Sequence, residues 1–286
     1  MSNKKFCHLH LHTEYSLLDG SGKIPKLIKR AKELGMDSIA ITDHGVMYGC
    51  VDFYKQAVEN GIKPILGCEV YVAGKSMHIK NPDKENATYH LVLLVKNETG
   101  YKNLMKIVTE ASIDGFYYKP RVDHDYLREH SEGIIALSAC LGGEVQKNLL
   151  RDNYEKAKEI ALLYKDIFKE GFYLELQNHG VEEQRKVNEL NIKLSKELDI
   201  PLVATNDVHY INQKDSKAHD ILMCIQTGKT VDDENRRRYP SVQFYLKSPE
   251  EMWELFSSTD ILYSCGSILR QFIFTTIPCL NFAEAV

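Results

Sequence analysis

The sequence contains neither the long apolar runs of a membrane protein nor the cysteine pairs of a zinc ribbon or a disulfide-rich protein. Its seven cysteines are scattered without a CxxC pair. Its longest mostly apolar stretch, residues 268–280, is shorter than the roughly 18 residues that a membrane span needs. No apolar signal region follows the first basic residues. These absences predict a cytoplasmic protein with reduced thiols and no membrane partner.

An excess of positive charge is also absent. The sequence has 36 Lys and Arg residues against 40 Asp and Glu residues, so its formal net charge is −4. This balance argues against a dedicated basic nucleic-acid-binding module, unless bound cations supply the missing positive charge. The remaining composition is that of an ordinary globular protein, with 43% hydrophobic and 27% charged residues.

Short apolar runs alternate with helical patterns along most of the chain, which predicts an α/β fold. The predicted strands are residues 6–11, 38–42, 63–72, 90–95, 133–139, 172–176 and 202–205. The predicted helices are residues 24–34, 51–60, 101–112, 153–168 and 182–198, with C-terminal caps at Gly35, Gly61 and Gly171. This alternation implies a parallel sheet, and no glycine-rich dinucleotide fingerprint follows the first strand. We therefore favour a closed βα barrel over a doubly wound sheet.

The end of the sequence differs from the rest. Residues 257–286 contain only three charged side chains, Asp260, Arg270 and Glu284. We expect one domain over residues 1–256, and a divergent apolar tail that is either a buried strand or a foreign terminus.

The strongest indication of chemistry is the run His8-Leu-His10-Leu-His12. In a strand, residues two apart point to the same face, so these imidazoles could share one side. Where the strand ends, His10 and His12 can both reach one metal ion. Three histidines within five residues beside apolar partners favour this interpretation over a run of surface histidines.

Further candidate ligands directly follow later apolar runs. Taken one at a time, each of these residues would more often be a helix N-cap or a polar group of the core. They are His44 with Asp43, Glu69, Cys140, His179, and Asp207 with His209. A parallel barrel places the ends of its strands at one mouth, so as a set these residues predict a metal site. Asp43 and His179 are also candidates for supporting the ligands, as an acid beside a ligand histidine often orients its ring. Asp19 is predicted only as a turn residue, and His90 opens its strand, so barrel geometry does not predict it as a ligand.

The donor set constrains the metal and the reaction. Abundant imidazole with carboxylates and one thiol suits Zn²⁺, Mn²⁺ or Fe²⁺ better than Mg²⁺ or Ca²⁺. More than four candidates suggests two or three ions, with Glu69 bridging. Such centres favour hydrolysis of a phosphate ester.

Two basic segments bear on the substrate. Tyr117, Tyr118, Lys119 and Arg121 interleave aromatic and cationic side chains, a composition used to bind single-stranded nucleic acid. The run 236–239 adds three arginines and a tyrosine. Each segment alone would more often be a solvated loop. Asp123 and Asp125 precede a helical pattern, and we interpret them as helix-capping residues.

The motifs together resemble the polymerase-and-histidinol-phosphatase (PHP) domain family, in the branch found at the start of bacterial DNA polymerase III alpha subunits. The resemblance covers residues 5–256 and rests on HLHLHTEYSLLDG at 8–20, ITDHGVMYG at 41–49, GIKPILGCEVYVA at 61–73, YHLVLLVKNETGYKNL at 89–104, EGFYLELQNHG at 170–180 and ATNDVHY at 204–210. It implies a distorted (β/α)7 barrel, a TIM-like form, that binds up to three metal ions.

The resemblance also implies a ligand set and an activity. The ligands would be His10, His12, Asp19, His44, Glu69, His90, Cys140, Asp207 and His209, with Asp207, Glu69 and His12 central to catalysis. It implies a metal-dependent 3′–5′ exonuclease that proofreads at a single-stranded DNA 3′ end, alongside other polymerase III holoenzyme components. In the family the polymerase palm follows, whereas this sequence departs after residue 256. We therefore expect a truncated or frame-shifted product without polymerase activity of its own.

Two other functions stay open. The centre could be a non-catalytic, metal-stabilised scaffold that supports a polymerase. It could also belong to a small-molecule phosphatase of the same superfamily, although the aromatic and basic segments argue against this.

Overall fold

The computed structural model describes residues 5–80 and 87–257. The apolar tail therefore lies outside the described residues, apart from Ser257. In the described chain, the helices that we find are too short or too polar to cross a membrane.

Seven strands in the described residues form one mixed sheet. They are β1 Ser38–Ile41, β2 Lys63–Ala73, β3 Thr88–Val95, β4 Arg121–Val122, β5 Ile134–Leu137, β6 Phe172–Leu176 and β7 Leu202–Ala204. The spatial order is β1-β2-β3-β5-β6-β7, and the short β4 pairs with the end of β2. The two-residue β4 is a strand that the sequence did not predict.

The N-terminal segment lies between the two outer strands of this order. The strand predicted at residues 6–11 is not a regular strand of the structure, and only Leu11 forms an isolated bridge, with Val208. Carbonyls of this segment accept hydrogen bonds from the backbone N–H groups of Ala40 and Thr42, both at 2.9 Å. On its other side, His12 N–H donates to the carbonyl of Val208 at 2.8 Å. The segment thus links β1 to the residues after β7. Because this link joins the two outer strands of the sheet, the predicted α/β barrel is confirmed.

The direction of β3 corrects the expectation of an all-parallel sheet. Strand β3 runs antiparallel to both β2 and β5, whereas β1–β2, β5–β6 and β6–β7 are parallel. A parallel connection needs a crossover, usually a helix. The described part of the segment between β2 and β3 contains no helix, so the chain turns back instead. The first residues of β3 therefore lie at the edge where the parallel strands end.

Helices surround the sheet. They are α1 Ile24–Glu33, α2 Cys50–Glu59, α3 Glu98–Ile113, α4 His124–Glu129, α5 Glu144–Leu150, α6 Tyr154–Phe168, α7 Glu182–Leu198, α8 Ser216–Thr227 and α9 Pro249–Leu255. The five predicted helices are present, as α1, α2, α3, α6 and α7. The sequence patterns did not predict α5, α8 and α9. Gly35 and Gly61 have φ of 73° and 72°, as predicted for left-handed caps. The cap predicted at Gly171 is wrong, because the positive φ after α6 belongs to Lys169.

Both faces of the sheet are buried. In β3, Leu91 and Leu93 pack against the helices, whereas Val92 and Leu94 belong to a second apolar cluster. Because both faces bury apolar side chains, polar groups of the strands gather mainly at strand ends.

Candidate metal centre

The nine residues that the sequence analysis proposes as ligands come together at one mouth of the barrel. In chain order they are His10 and His12 in the N-terminal segment, Asp19 in the following loop, His44 after β1, Glu69 within β2, His90 in β3, Cys140 after β5, and Asp207 and His209 after β7. Each has a side-chain N, O or S atom at 3.9 Å or less from such an atom of another member. Parallel strands end at this mouth and β3 begins there, which explains the convergence.

The carboxylate of Glu69 lies at the middle of the group, and its two oxygens face different neighbours. Around Oε1 lie His90 Nδ1 at 3.0 Å, His10 Nε2 at 3.4 Å and Cys140 Sγ at 3.9 Å. Around Oε2 lie His44 Nδ1 at 2.6 Å and His12 Nε2 at 3.5 Å. A carboxylate placed between two sets of donors in this way is suited to bridge two cations.

Asp207 forms a second junction. Its Oδ1 lies 3.2 Å from His12 Nε2, 3.3 Å from His10 Nε2 and 3.5 Å from His209 Nδ1. The residue has φ of 44°, in the left-handed region that side chains rarely adopt. Leu18 and Ala139, which precede Asp19 and Cys140, also have positive φ, at 61° and 64°. Backbone strain of this kind concentrates at functional sites.

Asp19 belongs to the centre, which corrects its interpretation as a mere turn residue. Its carboxylate lies 3.4 Å from His44 Nε2 and 3.8 Å from His209 Nε2. It also accepts a hydrogen bond from the hydroxyl of Tyr239 at 3.0 Å. The helix that follows begins after Lys23, so Asp19 is not its N-cap.

Three groups within the centre place their donor atoms within 4.8 Å of one another: His12, His44 and His209; His10, His12 and Glu69; and His44, Glu69 and His90. Several of these atoms are buried and have no hydrogen-bond partner among the described residues. They are His10 Nε2, His12 Nε2, His209 Nε2 and Asp207 Oδ1. Buried polar atoms are normally satisfied, so this convergence fits bound cations.

The tautomer of His12 is fixed by residues behind it. Ser16 Oγ donates to Asp43 at 2.6 Å, so it accepts from His12 Nδ1 at 3.0 Å. The remaining nitrogen, Nε2, is then the unprotonated one that faces Glu69 and the other ligands. Asp43 also accepts two hydrogen bonds from Thr13, at 2.6 and 2.7 Å. This contact agrees with the orienting role predicted for Asp43, whereas no sequence pattern pointed to Ser16.

Glu175 has the same relation to His10, and it is not among the residues predicted from the sequence. His10 Nδ1 donates to Glu175 Oε1 at 2.6 Å, which directs Nε2 toward the centre. Gln177 Nε2 donates to the same oxygen at 2.8 Å, and Thr205 also donates to it. The available signal was an acidic residue within the apolar run of β6, a position where a charge is buried.

His179 contacts the backbone beside Asp207, not the carboxylate. Its Nε2 donates to the carbonyl of Asn206 at 2.8 Å, and its ring stacks on Phe244 with centroids 3.8 Å apart. Gln184 lies 2.7 Å from the other ring nitrogen. His179 therefore positions the segment that carries Asp207.

The electrostatics of the centre follow from burial and crowding. Burial, together with the neighbouring imidazoles of His44 and His209, lowers the pKa of His12 to about 3, so His12 is neutral and able to ligate. Burial would raise the pKa of Glu69, but the imidazoles around it outweigh this and hold the pKa well below its ordinary value. Burial and nearby carboxylates raise the pKa of the Cys140 thiol well above its ordinary value. A thiolate at this position therefore requires a cation beside it.

An open cleft of about 380 Å³ leads to the centre. Lys119 and Tyr71 line it, with Lys119 Nζ 5.1 Å from the Tyr71 ring centroid. Tyr118 is 81% exposed, and Tyr117 packs against it with ring centroids 4.6 Å apart.

Arg121 is not at the surface, contrary to its expected role in nucleic-acid contact. Its side chain is buried and donates to the backbone carbonyls of Gly115, Met77 and Ile79. A guanidinium held in this way stabilises the loop and is not available to a ligand.

Comparison with known proteins places this centre in a family. The sequence profile described as the PHP domain matches residues 8–179. The DNA polymerase III subunit alpha of Borreliella burgdorferi is 49% identical over 254 residues, which cover 88% of this chain and 22% of that protein. The same subunit of Helicobacter pylori strain J99 is 48% identical over 265 residues, with 89% and 22% covered.

Among solved structures, an amidohydrolase from Chromobacterium violaceum aligns with 71% of this chain and 87% of its own, at 15% identity and a TM-score of 0.46. The chain spans about a fifth of the length of the curated relatives that it matches. The profile match covers more than half of the chain and includes most of the histidines of the centre. This chain belongs to the PHP domain family.

Proposed function

We propose that this chain is the PHP part of a DNA polymerase III alpha subunit, and that it hydrolyses phosphodiester bonds from the 3′ end of single-stranded DNA. The observation that carries the proposal is the convergence of the buried donor atoms of His10, His12, Glu69 and Asp207 at the base of an open cleft. The identity of 48–49% to polymerase subunits over nearly the whole chain supports the replicative context. In that context the chain would act in the cytoplasm with other holoenzyme components.

The donor set favours two or three divalent ions of the Zn²⁺ or Mn²⁺ type, with Fe²⁺ also compatible. The three groups of donors share members, since His12, His44 and Glu69 each belong to two of them. Shared ligands imply neighbouring ions, and the two differently facing oxygens of Glu69 would connect them. When bound, such ions polarise the phosphoryl group and lower the pKa of a coordinated water.

The protein residues have distinct tasks in this proposal. Glu69, Asp207 and His12 would hold the ions that act on the reacting phosphate. Glu175 and Ser16 keep His10 and His12 in the tautomers that leave Nε2 free. The strained conformation of Asp207 is maintained by the segment that His179 fixes.

The test uses the full chain loaded with Mn²⁺ or Zn²⁺ and a 5′-labelled single-stranded oligonucleotide. We expect stepwise shortening from the 3′ end, and we expect Asp207→Asn to abolish it. His78→Ala is the matched control, because His78 is exposed and lies outside the centre. Absence of shortening in a chain with confirmed metal content would exclude the nuclease and leave the metal-stabilised scaffold. Faster turnover of a phosphomonoester than of the oligonucleotide would instead favour a small-molecule phosphatase.

A further inference from the structure

Three cations line the cleft that leads to the metal centre. They are Lys119 from the loop before β4, and Arg237 and Arg238 from the segment after α8. The two acids that line the same cleft, Asp19 and Asp207, both belong to the proposed ligand set. The mouth of the cleft is therefore cationic in a chain whose net charge is −4.

Neither arginine at the mouth forms a close ion pair with an acid of the described chain, although the charge of Arg238 acts on Asp220 from a greater distance. Within the described residues, no ion pair of 4.0 Å or less involves Lys119, Arg237 or Arg238, and Arg238 donates only a long hydrogen bond to a backbone carbonyl. Arg236, which precedes these two arginines, does form an ion pair. Both of its terminal nitrogens donate to the carboxylate of Asp220 at 2.6 Å. The side chain of Arg236 is only 2% exposed, so it serves as an anchor on α8.

The residue that follows the two arginines is a second anchor. Tyr239 donates to Asp19 and packs its ring edge-on against Phe244 and His219, both with centroids 4.6 Å apart. Arg237 and Arg238 are thus held between two fixed residues beside the proposed metal ligands. Such positioning reduces the entropy that a ligand must overcome on binding.

We propose that Arg237, Arg238 and Lys119 bind the phosphates of the nucleotides adjoining the scissile bond, so that the site selects a polynucleotide strand over a small phosphoester. This inference rests on the proposed function for its substrate. The planar guanidinium of arginine matches phosphate oxygens in pairs, whereas lysine contributes a point charge. A phosphomonoester has no adjoining phosphates, so it would gain nothing from these three residues.

Binding tests the proposal without catalysis. The full chain is titrated in chelator against a 5′-fluorescein 12-mer of single-stranded DNA, at several salt concentrations, and fluorescence anisotropy gives Kd. We expect the double variant Arg237→Ala/Arg238→Ala to weaken binding at least about tenfold. The slope of log K against log salt should become shallower by about 0.7 for each phosphate that the variant no longer neutralises. Lys229→Ala, which removes a charge from the same segment outside the cleft, should bind like the unmodified chain.

A second measurement separates this proposal from the proposed function. With metal bound, the double variant should lose about tenfold in kcat/KM on the oligonucleotide, and it should keep turnover of bis-p-nitrophenyl phosphate within about twofold. Equal loss on both substrates, or unchanged oligonucleotide binding, would overturn the assignment of these residues. An inactive chain that still shows the expected binding differences would refute the nuclease and retain the binding role. Circular dichroism and melting temperature establish that each variant is folded.

Discussion

His90 Nδ1 lies 3.0 Å from Glu69 Oε1, although His90 stands near the start of its strand and Glu69 lies deep within the neighbouring one. The two strands are antiparallel, with Tyr71 directly opposite His90. An antiparallel strand begins where its parallel neighbours end, so an imidazole at the start of β3 reaches the same mouth. The backbone N–H of His90 also donates to Gly142 at 3.1 Å, which joins β3 to the Cys140 loop.

The first prediction concerns the metal content of His90→Ala. This variant removes one member of the group formed with His44 and Glu69, and it leaves the group of His12, His44 and His209 intact. We expect the number of bound metal ions per chain to fall by about one, with the fold retained. Mass spectrometry of the dialysed protein measures this, with His78→Ala as the control. An unchanged metal content would show that His90 is not a ligand.

The contrast between His90 and Asp207 explains what the sequence could predict. Asp207 follows an apolar run. A polar residue directly after such a run can be recognised from the sequence alone, and in a parallel strand it marks the end that faces the mouth of the barrel. To predict His90 as a ligand, one must know the direction of β3. That direction depends on how the chain turns between β2 and β3. The β/α alternation predicted the barrel, but no pattern in residues 74–87 encoded that reversal. The resemblance to the PHP family identified His90 where periodicity could not.

A different limit applies to residues that support the ligands. Glu175 contacts His10 across 165 positions of sequence, and its function becomes apparent only when β6 is placed beside the N-terminal segment. Arg121 shows the converse, because its aromatic and basic neighbours suggested a ligand contact, whereas its guanidinium is buried against carbonyl groups. Composition reports which groups are present, and burial decides which of them can meet a ligand.

The second prediction is that Glu175→Gln weakens metal binding. The glutamine keeps the size of the side chain, but it loses the negative charge that holds the His10 Nδ1 proton and makes Nε2 a better donor. We expect a 10- to 100-fold rise in the metal Kd, an order-of-magnitude range typical of such supporting residues. Competition with a chromophoric chelator measures Kd. Glu183→Gln, at an exposed position on α7, should have no effect.

The third prediction is that metal removal destabilises the chain. The nine proposed ligands, six of them buried, meet at one point of the fold, so we expect the folded state to bind cations at a site that the unfolded chain lacks. At a free metal concentration of about 1,000 times Kd, the gain in unfolding free energy is about 4 kcal/mol. Melting followed by circular dichroism, with and without chelator, should show this difference. In Asp207→Asn, the chelator should lower the melting temperature by less than it does in the unmodified chain. An equal decrease in the variant and in the unmodified chain would contradict the role of Asp207 as a ligand.

The last prediction concerns acid stability and depends on His8, the first histidine of the run. Its Nε2 donates to the carbonyl of Lys247 at 2.9 Å, and its side chain is fully buried. Burial lowers the pKa of His8 from 6.5 to about 4. The hydrogen bond to the Lys247 carbonyl and the charge of Glu251 oppose this shift, whereas the Lys247 ammonium adds to it. Between these pH values the unfolded chain binds more protons than the folded chain. The contribution of His8 to the unfolding free energy therefore falls as the pH drops through this range, by up to about 3 kcal/mol.

The variant His8→Gln isolates this effect, because glutamine does not titrate and can still donate to the Lys247 carbonyl. Urea unfolding of both proteins in chelator, from pH 7 to pH 4, gives the difference in unfolding free energy between them. The ligand histidines titrate in both proteins, so their contributions cancel in this difference. We expect the difference to shift in favour of the variant as the pH falls below about 6.5. A difference that stays constant over this range would mean that His8 is protonated as easily in the folded chain as in the unfolded one.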